Sequence, residues 1–560
     1  MKKSGFRRAA VLLTVCALLL GLFSATAAAD TATDKIVISA DTVLDLNAQP
    51  HLEKDGKVFI GWKDASGKAV AAKASLKKGD VLTAVYASRA DEDFRISAVT
   101  LRTAGETGLR FIVCKKHAFA ASLPEIVEYG TLVLPTKVLN DNQKERYADL
   151  EYGREYTCSS KKYTPAAVKA ETIYASDKTT EQYTLCITNL EAGRYRRQYT
   201  VRGYIRYKDL NGVLQTVYTE ERGTNPYETC RVDLKASGIA KSRTSALKKI
   251  IKEVEDEADT TYRQAKKTAV LGSASDPNRY IFKLDGSNFQ MREITVNTGK
   301  GGDPLEIIHL TDTHMEAGNN STLEVKKFRT LVDYVATADQ VILSGDTFSS
   351  LTDINLKLMQ REVWEALPNA LAAIGNHETY GGTMENNVGK RYQALQEVWK
   401  HNVFYTSRVL GDKVMVIQLD DGTKSFRANQ VEPLRKDLET ARKKGYAVLI
   451  FTHIALITNN PKESAVDSLT GKTKGMNFQS NRFNDFVGQP VMDSGATKNV
   501  YELITNNADI VKGVFCGHAH DYFYTEIVAK TGSGQSAVIP QYVGARACDN
   551  YGHMTRIIVK

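Results

Sequence analysis

The chain has 560 residues, too many for one hydrophobic core, and at roughly 100–200 residues per domain it divides into about three or four units. Hydrophobic residues make up 42% and charged residues 25%, which excludes wholesale disorder. The formal net charge of +9 falls to +5 without the four bases of the first 29 residues, too little for a nucleic-acid-binding surface.

The N-terminus reads as a secretory signal over residues 1–29. Lys2, Lys3, Arg7 and Arg8 precede the apolar AAVLLTVCALLLGLF (9–23), and ATAAAD (25–30) offers a cleavage site after Ala29. The apolar run is about 15 residues long, short of the roughly 20 that span a bilayer. Cys16 lies inside that run, a poor position for lipid attachment. No later stretch is long and apolar enough to cross a membrane, so an exported, soluble protein is expected. Six cysteines follow: Cys114, Cys158, Cys186, Cys230, Cys516 and Cys548. None forms a CxxC pair, which argues against a cysteine zinc site. Export permits disulfides, but spacing cannot pair these residues, and free buried thiols are the alternative.

Residues 36–88 read as short strands. KVFIGWKDASGKAV alternates apolar and polar residues, turns at Ser-Gly and resumes at DVLTAVYAS. The F-x-GW core and closing TAVYA resemble a single internalin-type B-repeat, a small β module of bacterial surface proteins. Residues 92–235 continue as short strands (GLRFIVC, EYGTLVLP, QYTLCITNL, QYTVRGYIRYKD) between Gly-, Asn- and Asp-rich turns, which predicts a β-sandwich. That stretch resembles sandwiches of Gram-positive surface proteins and implies no particular activity. The region 240–270 reads as helix and linker. Leu247, Ile250, Ile251 and Val254 recur at helical spacing within 243–268, and GSASDPN (272–278) follows as a linker.

From 304 onward the pattern alternates. Apolar runs such as LEIIHLTD, QVILSGD, ALAAIGN, VMVIQLD, AVLIFTH and VKGVFCGH read as strands, with amphipathic helical stretches between them, an α/β layer pattern. Ligands gather at the carboxyl ends of strands in such sheets. Here those ends carry Asp312 and His314 (DTH), Asp346 (SGD), Asn376 and His377 (GNHE), His453 (TH), and His518 and His520 (GHAH). Five of the ten histidines of the chain fall in these signatures, a concentration that marks one site rather than scattered caps. In extended backbone, residues i and i+2 share a face, so Asp312 with His314 and His518 with His520 can aim at one cavity. Carboxylate, amide oxygen and imidazole without thiolate suit two divalent or trivalent ions of Mn, Fe or Zn, bridged by a carboxylate.

These five signatures in order resemble the calcineurin-like metallophosphoesterase superfamily, over residues 304–545. The resemblance implies an α/β domain at 300–560 of αββα type behind all-β N-terminal modules. It also implies hydrolysis of phosphate mono- or diesters by hydroxide activated between two metals. One ion would be held by Asp312, His314, Asp346 and His520, and the second by Asp346, Asn376, His453 and His518. Asp346 would bridge them, and His377 would stand over the site as general acid or as a donor to the phosphoryl oxygen. Position 314 is His and the SGD loop has no Tyr at the ligand position, so the charge-transfer Fe(III) site of purple acid phosphatases is not expected.

Weaker signals are His309, read as a core histidine; Asp420 and Asp421, read as a strand-end turn that could also stand behind metal ligands; Tyr380, a possible pocket wall; and Asp521, read as surface. The polar segment 455–500 is expected to cap the pocket. The rival reading is a cell-wall or surface-glycan-binding protein whose hydrolase fold no longer works. The metals, the mono- or diester preference and the physiological substrate stay open.

Overall fold

The computed structural model describes residues 34–48, 53–54, 56–145, 147–266, 270–271, 280–285, 289–316, 325, 328–329, 331–332, 335–379, 388–457, 464–466, 473–474, 495–530, 534–547 and 552–560. The signal-like segment 1–29, the linker 272–278, Tyr380, Cys548 and most of 455–500 lie outside them. Among the described residues no helix is long and apolar enough to cross a membrane, which says nothing about β-barrels. The five described cysteines are free thiols.

The first module is an antiparallel sheet in the order Lys35–Val37, Val81–Ser88, Lys57–Lys63, Glu53–Lys54, beside the pair Thr42–Asp45 and Lys73–Leu76. Ile36, Phe59, Trp62 and Leu82 fill its core. The glycine of the GW pair has a docking role. Gly61 (φ +129°) approaches Leu210 so closely that a Cβ there would stand 2.9 Å from the Leu210 Cβ. Asn211 then pairs with the neighbouring tryptophan, accepting from Trp62 N (2.6 Å) and donating to Trp62 O (2.9 Å).

Two antiparallel sheets follow. One runs Ala175–Ser176, Thr180–Ile187, Gly108–Lys116, Phe94–Arg102; the other runs Ala166–Lys169, Glu125–Pro135, Tyr199–Lys208, Leu214–Tyr218, with Arg222–Thr224 also on Tyr199–Lys208. Phe94, Phe111, Val113, Tyr183, Val201 and Ile205, from both sheets, share one core. Short helices His117–Ser122, Thr136–Asn140 and Pro226–Asp233 interrupt the expected all-β pattern. The last has local causes: Asn225 caps Glu228 N (2.9 Å) and Pro226 sits at the first helical position. The charged helix expected at 243–268 is Lys241–Lys266, burying Leu247, Ile250 and Val254.

The C-terminal region holds two mixed sheets. In the first, Leu305–Leu310, Gln340–Ser344 and Leu371–Ala373 are parallel neighbours, and Gly552–Val559 pairs antiparallel with Leu305–Leu310. In the second, Val414–Leu419, Ala447–Phe451, Val511–Cys516 and Ser536–Val543 are parallel neighbours. Ile307, Ile342 and Leu371 of the first sheet share a cluster with Val416, Leu449 and Phe515 of the second. The alternate residues of the second sheet, Met415, Ile417, Val448 and Ile450, pack with Leu434, Leu438, Val500 and Ile504 of helices Ala428–Lys444 and Gly495–Asn506. Both faces of these strands are therefore covered, which is why they read as unbroken apolar runs rather than alternating ones.

A seam of paired charge joins the sandwich to this region. Arg361, 1% exposed, donates to Glu221 Oε2 (2.6 Å), Ala148 O (3.0 Å) and Asn140 Oδ1 (3.3 Å). Arg329 donates to both oxygens of Glu362 (2.8 and 2.9 Å) and to Asp141 Oδ1 (2.7 Å).

Candidate metal centre

Six parallel strands of the C-terminal region deliver their next residues to one place. Asp312 and His314 follow Leu305–Leu310, Asp346 follows Gln340–Ser344, and Asn376 and His377 follow Leu371–Ala373. From the second sheet come Asp421 after Val414–Leu419, His453 after Ala447–Phe451, and His518 and His520 after Val511–Cys516.

The i, i+2 convergence holds, but extended backbone is not its cause. Asp312, His314, Asp346, His518 and His520 all adopt left-handed conformations, with φ between +45° and +66°. For side chains larger than glycine this costs on the order of 1 kcal/mol each. Hydrogen bonds from Asp312 N to Gly345 O (3.2 Å), His314 N to Asp346 O (3.0 Å) and Met315 N to Thr347 O (2.9 Å) zip the two loops together and hold the strain.

The side chains meet closely. Asp346 Oδ2 lies 3.2 Å from His453 Nε2 and 3.7 Å from His314 Nε2. Asp312 Oδ1 lies 3.2 Å from His520 Nε2 and 3.7 Å from His314 Nε2. The Nε2 atoms of His314 and His520 are 3.2 Å apart, and Asn376 Oδ1 is 3.0 Å from His453 Nε2. Three groups have ligand atoms within 4.8 Å of one another: Asp312, His314, His520; His314, Asp346, His377; and Asp346, His453, His518.

The donors are wrong for a closed hydrogen-bond network and right for cations. His453 Nδ1 sits 2.9 Å from Ser344 O, and a carbonyl only accepts, so Nδ1 carries a proton. In the neutral ring, Nε2 is then an acceptor, aimed at two more acceptors, Asn376 Oδ1 and Asp346 Oδ2. Burial opposes a charge on this ring, yet the Asp346 carboxylate outweighs it and raises the His453 pKa to about 10. Asp312 Oδ1 is buried with no hydrogen-bond partner among the described residues. Acceptors converging on one another in a buried site require a positive charge between them, and carboxylate, imidazole and amide oxygen are the donors that borderline divalent ions take.

Glycine makes the closeness possible. A Cβ on Gly375 would collide with Asp346 Oδ1 and its N, and one on Gly517 with Thr311 Oγ1 and Asp312 Oδ2.

His377 is placed differently. Its Nδ1 donates to Ser349 O (2.8 Å), its backbone N donates to Asp346 Oδ1 (2.8 Å), and its Nε2 stands 3.9 Å from Asp346 Oδ2. Its side chain is 32% exposed, whereas His314 is 6% exposed and His453 fully buried, so it forms the open side of the site.

Two carboxylates that the sequence left without a firm role hold the loops. Glu378 is buried. It accepts from Gly375 N (2.6 Å), Asp346 N (3.0 Å) and Thr347 N (2.7 Å), locking the GNHE turn to the SGD turn. Burial, and then the charge of Asp346, raise its pKa to about 7. Asp420–Asp421 form the strand-end turn, Gly422 N donating to Asp420 Oδ1 (3.1 Å) and Lys424 N to Asp421 O (2.7 Å), and Asp421 also supports His453 by accepting from His453 N (2.8 Å) and Ile454 N (3.0 Å). His309 is a core residue as expected, on Ser344 Oγ (2.7 Å) and edge-on to Phe451. Asp521 is half-buried rather than on the surface.

Residues 305–522 match the family model described as calcineurin-like phosphoesterase. The match likens this region, about two fifths of the chain, to the calcineurin-like phosphoesterases. Among solved structures, a dimetal phosphatase from Danio rerio is 13% identical, covering 43% of this chain and 88% of its own, with a TM-score of 0.28. PhoD is 9% identical, covering 83% and 79%, with a TM-score of 0.29. GAP50, titled the anchor in the inner membrane complex of Plasmodium, is 11% identical, covering 43% and 71%, with a TM-score of 0.24. Likenesses this low carry nothing beyond the family match. No curated protein matches the chain. The resemblance of residues 36–88 to an internalin-type repeat finds no support in these comparisons. The phosphoesterase match covers the DTH, SGD, GNHE, TH and GHAH signatures, all of which converge on the site described above.

Proposed function

We propose that the protein is an exported phosphoesterase that hydrolyses phosphate mono- or diesters with two metal ions. The observation that carries this reading is the convergence of Asp312, Asp346, Asn376 and four imidazoles as mutual acceptors at the carboxyl ends of the parallel strands. Asp312, His314, Asp346 and His520 would hold one ion, and Asp346, Asn376, His453 and His518 the other, with Asp346 shared. The two C-terminal sheets, facing each other with helices outside, would form the αββα sandwich of the family. Export rests on the basic start and apolar run of residues 1–29, and contact of the front β modules with wall or surface glycan on their sequence character.

Bound there, Mn, Fe or Zn would supply positive charge for the phosphoryl oxygens and for the attacking water. The chain supplies the rest. Asp421 and Glu378 fix the loops that bear His453, Asp346 and Asn376, so the site needs little reorganisation during reaction. Water adds to phosphorus, its proton passing to solvent, and the ester P–O bond breaks. The leaving oxygen takes a proton from the His377 ring at Nε2, while Nδ1 holds Ser349 O.

The test is hydrolysis of an aryl phosphate and its diester with added Mn, alongside metal analysis. His377→Ala is expected to keep its metals and lose about 10²–10⁴-fold in turnover. Loss of metal from that variant would refute the assigned role. Intact metal with no hydrolysis of either ester by the wild-type protein would refute the enzyme.

A further inference from the structure

The seam between the sandwich and the C-terminal region encloses a cavity of about 540 Å³. Thr136 and Tyr227 line it from the sandwich, and Arg329 and Ala366 from the other side. Small-molecule sites are of this size and favour the boundaries between domains.

Its charges are unequal. Lys137, Arg196, Arg197 and Arg329 line it, and among the described lining residues Glu362 is the one acid. Glu362 is already committed, accepting from Arg329 Nε (2.9 Å) and from Asn140 Nδ2 (2.5 Å). Arg329 has a second partner in Asp141 Oδ1 (2.7 Å), so its charge is answered within the seam.

Lys137 and Arg197 are not answered. Pro135 pairs with Tyr199 across the sheet, and Thr136 N donates to Gln198 O (3.1 Å). Lys137 follows Thr136 and Arg197 precedes Gln198, so the fold sets two like charges at neighbouring positions of the cavity wall. Among the described residues neither side chain has a hydrogen bond or an ion pair. Both are exposed, so water hydrates each one; what singles them out is their convergence on a walled cavity. Like charges at such positions repel, and an anion between them reverses the sign of the interaction. Much of the remaining wall is apolar, from Val138, Val332, Ala336 and Ala366, with Tyr163 beside them.

We propose that this cavity is a second ligand site, separate from the strand-end centre, and that it takes a small organic anion: a ring or hydrocarbon body carrying one carboxylate or phosphate head. The head sits between Lys137 and Arg197, whose guanidinium fork matches the paired oxygens of either group. The body lies on the apolar wall, where residues of both domains touch it.

The test soaks crystals of the metal-loaded protein in para-bromobenzoate or para-bromophenylphosphonate and locates bromine by anomalous diffraction. Binding in solution is measured by calorimetry, with the uncharged para-bromobenzamide as control. We expect a bromine peak against Val332 and Ala366, and an affinity for the better anion at least about 10-fold above that for the amide. The better of the two anions assigns the head group. Lys137→Glu and Arg197→Glu, both at exposed positions, should each weaken that anion about 10-fold or more while metal content stays unchanged. No bromine in the cavity with either anion, equal affinity for anion and amide, or full affinity in both variants would each overturn the proposal.

Discussion

At the seam between the sandwich and the phosphoesterase region, buried charges meet their opposites: Arg361 with Glu221, and Arg329 with Glu362 and Asp141. At the strand ends the arrangement is reversed. Asp312 and Asp346 are as deeply buried, yet among the described residues neither forms an ion pair with Lys or Arg, and the ionisable side chains they pair with are imidazoles. A closed set of charges holds two domains together. An open set, in which acceptor meets acceptor, is built for something not of the chain. The difference separates a structural cluster from a functional one more sharply than burial or charge density does, because both clusters share those.

The comparison breaks most visibly at Asp346. Asp346→Asn, the proposed bridge, should drop bound metal from two ions per chain to one or none and cut hydrolysis on the order of a thousandfold, checked by elemental analysis and aryl phosphate assay. Arg361→Ala attacks the other cluster. It strands Glu221 and should cost about 3–5 kcal/mol in urea unfolding while folded protein retains normal metal content.

Glu365, also at the seam, accepts from Gln198 Nε2 (3.1 Å), and burial raises its pKa from 4.5 to about 7. The folded state therefore favours the protonated acid. Its contribution is fully present below pH 4.5 and is lost as pH rises through 7. Glu365→Gln should flatten this part of the stability profile, by up to about 3 kcal/mol between pH 4.5 and pH 8. Glu378→Gln sharpens the contrast at the site. The amide offers one acceptor oxygen where three backbone N–H groups need the carboxylate, and Mn affinity measured by calorimetry should weaken about 10–100-fold.

How much of this the sequence disclosed follows from where each interaction lies along the chain. Asp312, His314, Asn376, His518 and His520 were legible because each stands directly after an apolar strand, in a short signature that fixes both ligand and turn. Glu378 stood in plain view within GNHE, but its partners, the N–H groups of Asp346 and Thr347, are about thirty positions away and leave no local pattern. Asp421 acts on His453 in the same way. In the front half, alternation revealed the strands, while the seam stayed hidden because Arg361 and Glu221 meet only in the folded chain. The role of Gly61 depended likewise on the distant Leu210 and Asn211.

The most direct test of the account is anomalous diffraction from a crystal soaked in Mn. It predicts two peaks, one among Asp312, His314 and His520 and the other among Asn376, His453 and His518, with the Asp346 carboxylate between them. A soaked crystal with no peak in this pocket, or with its only peaks elsewhere, would contradict it.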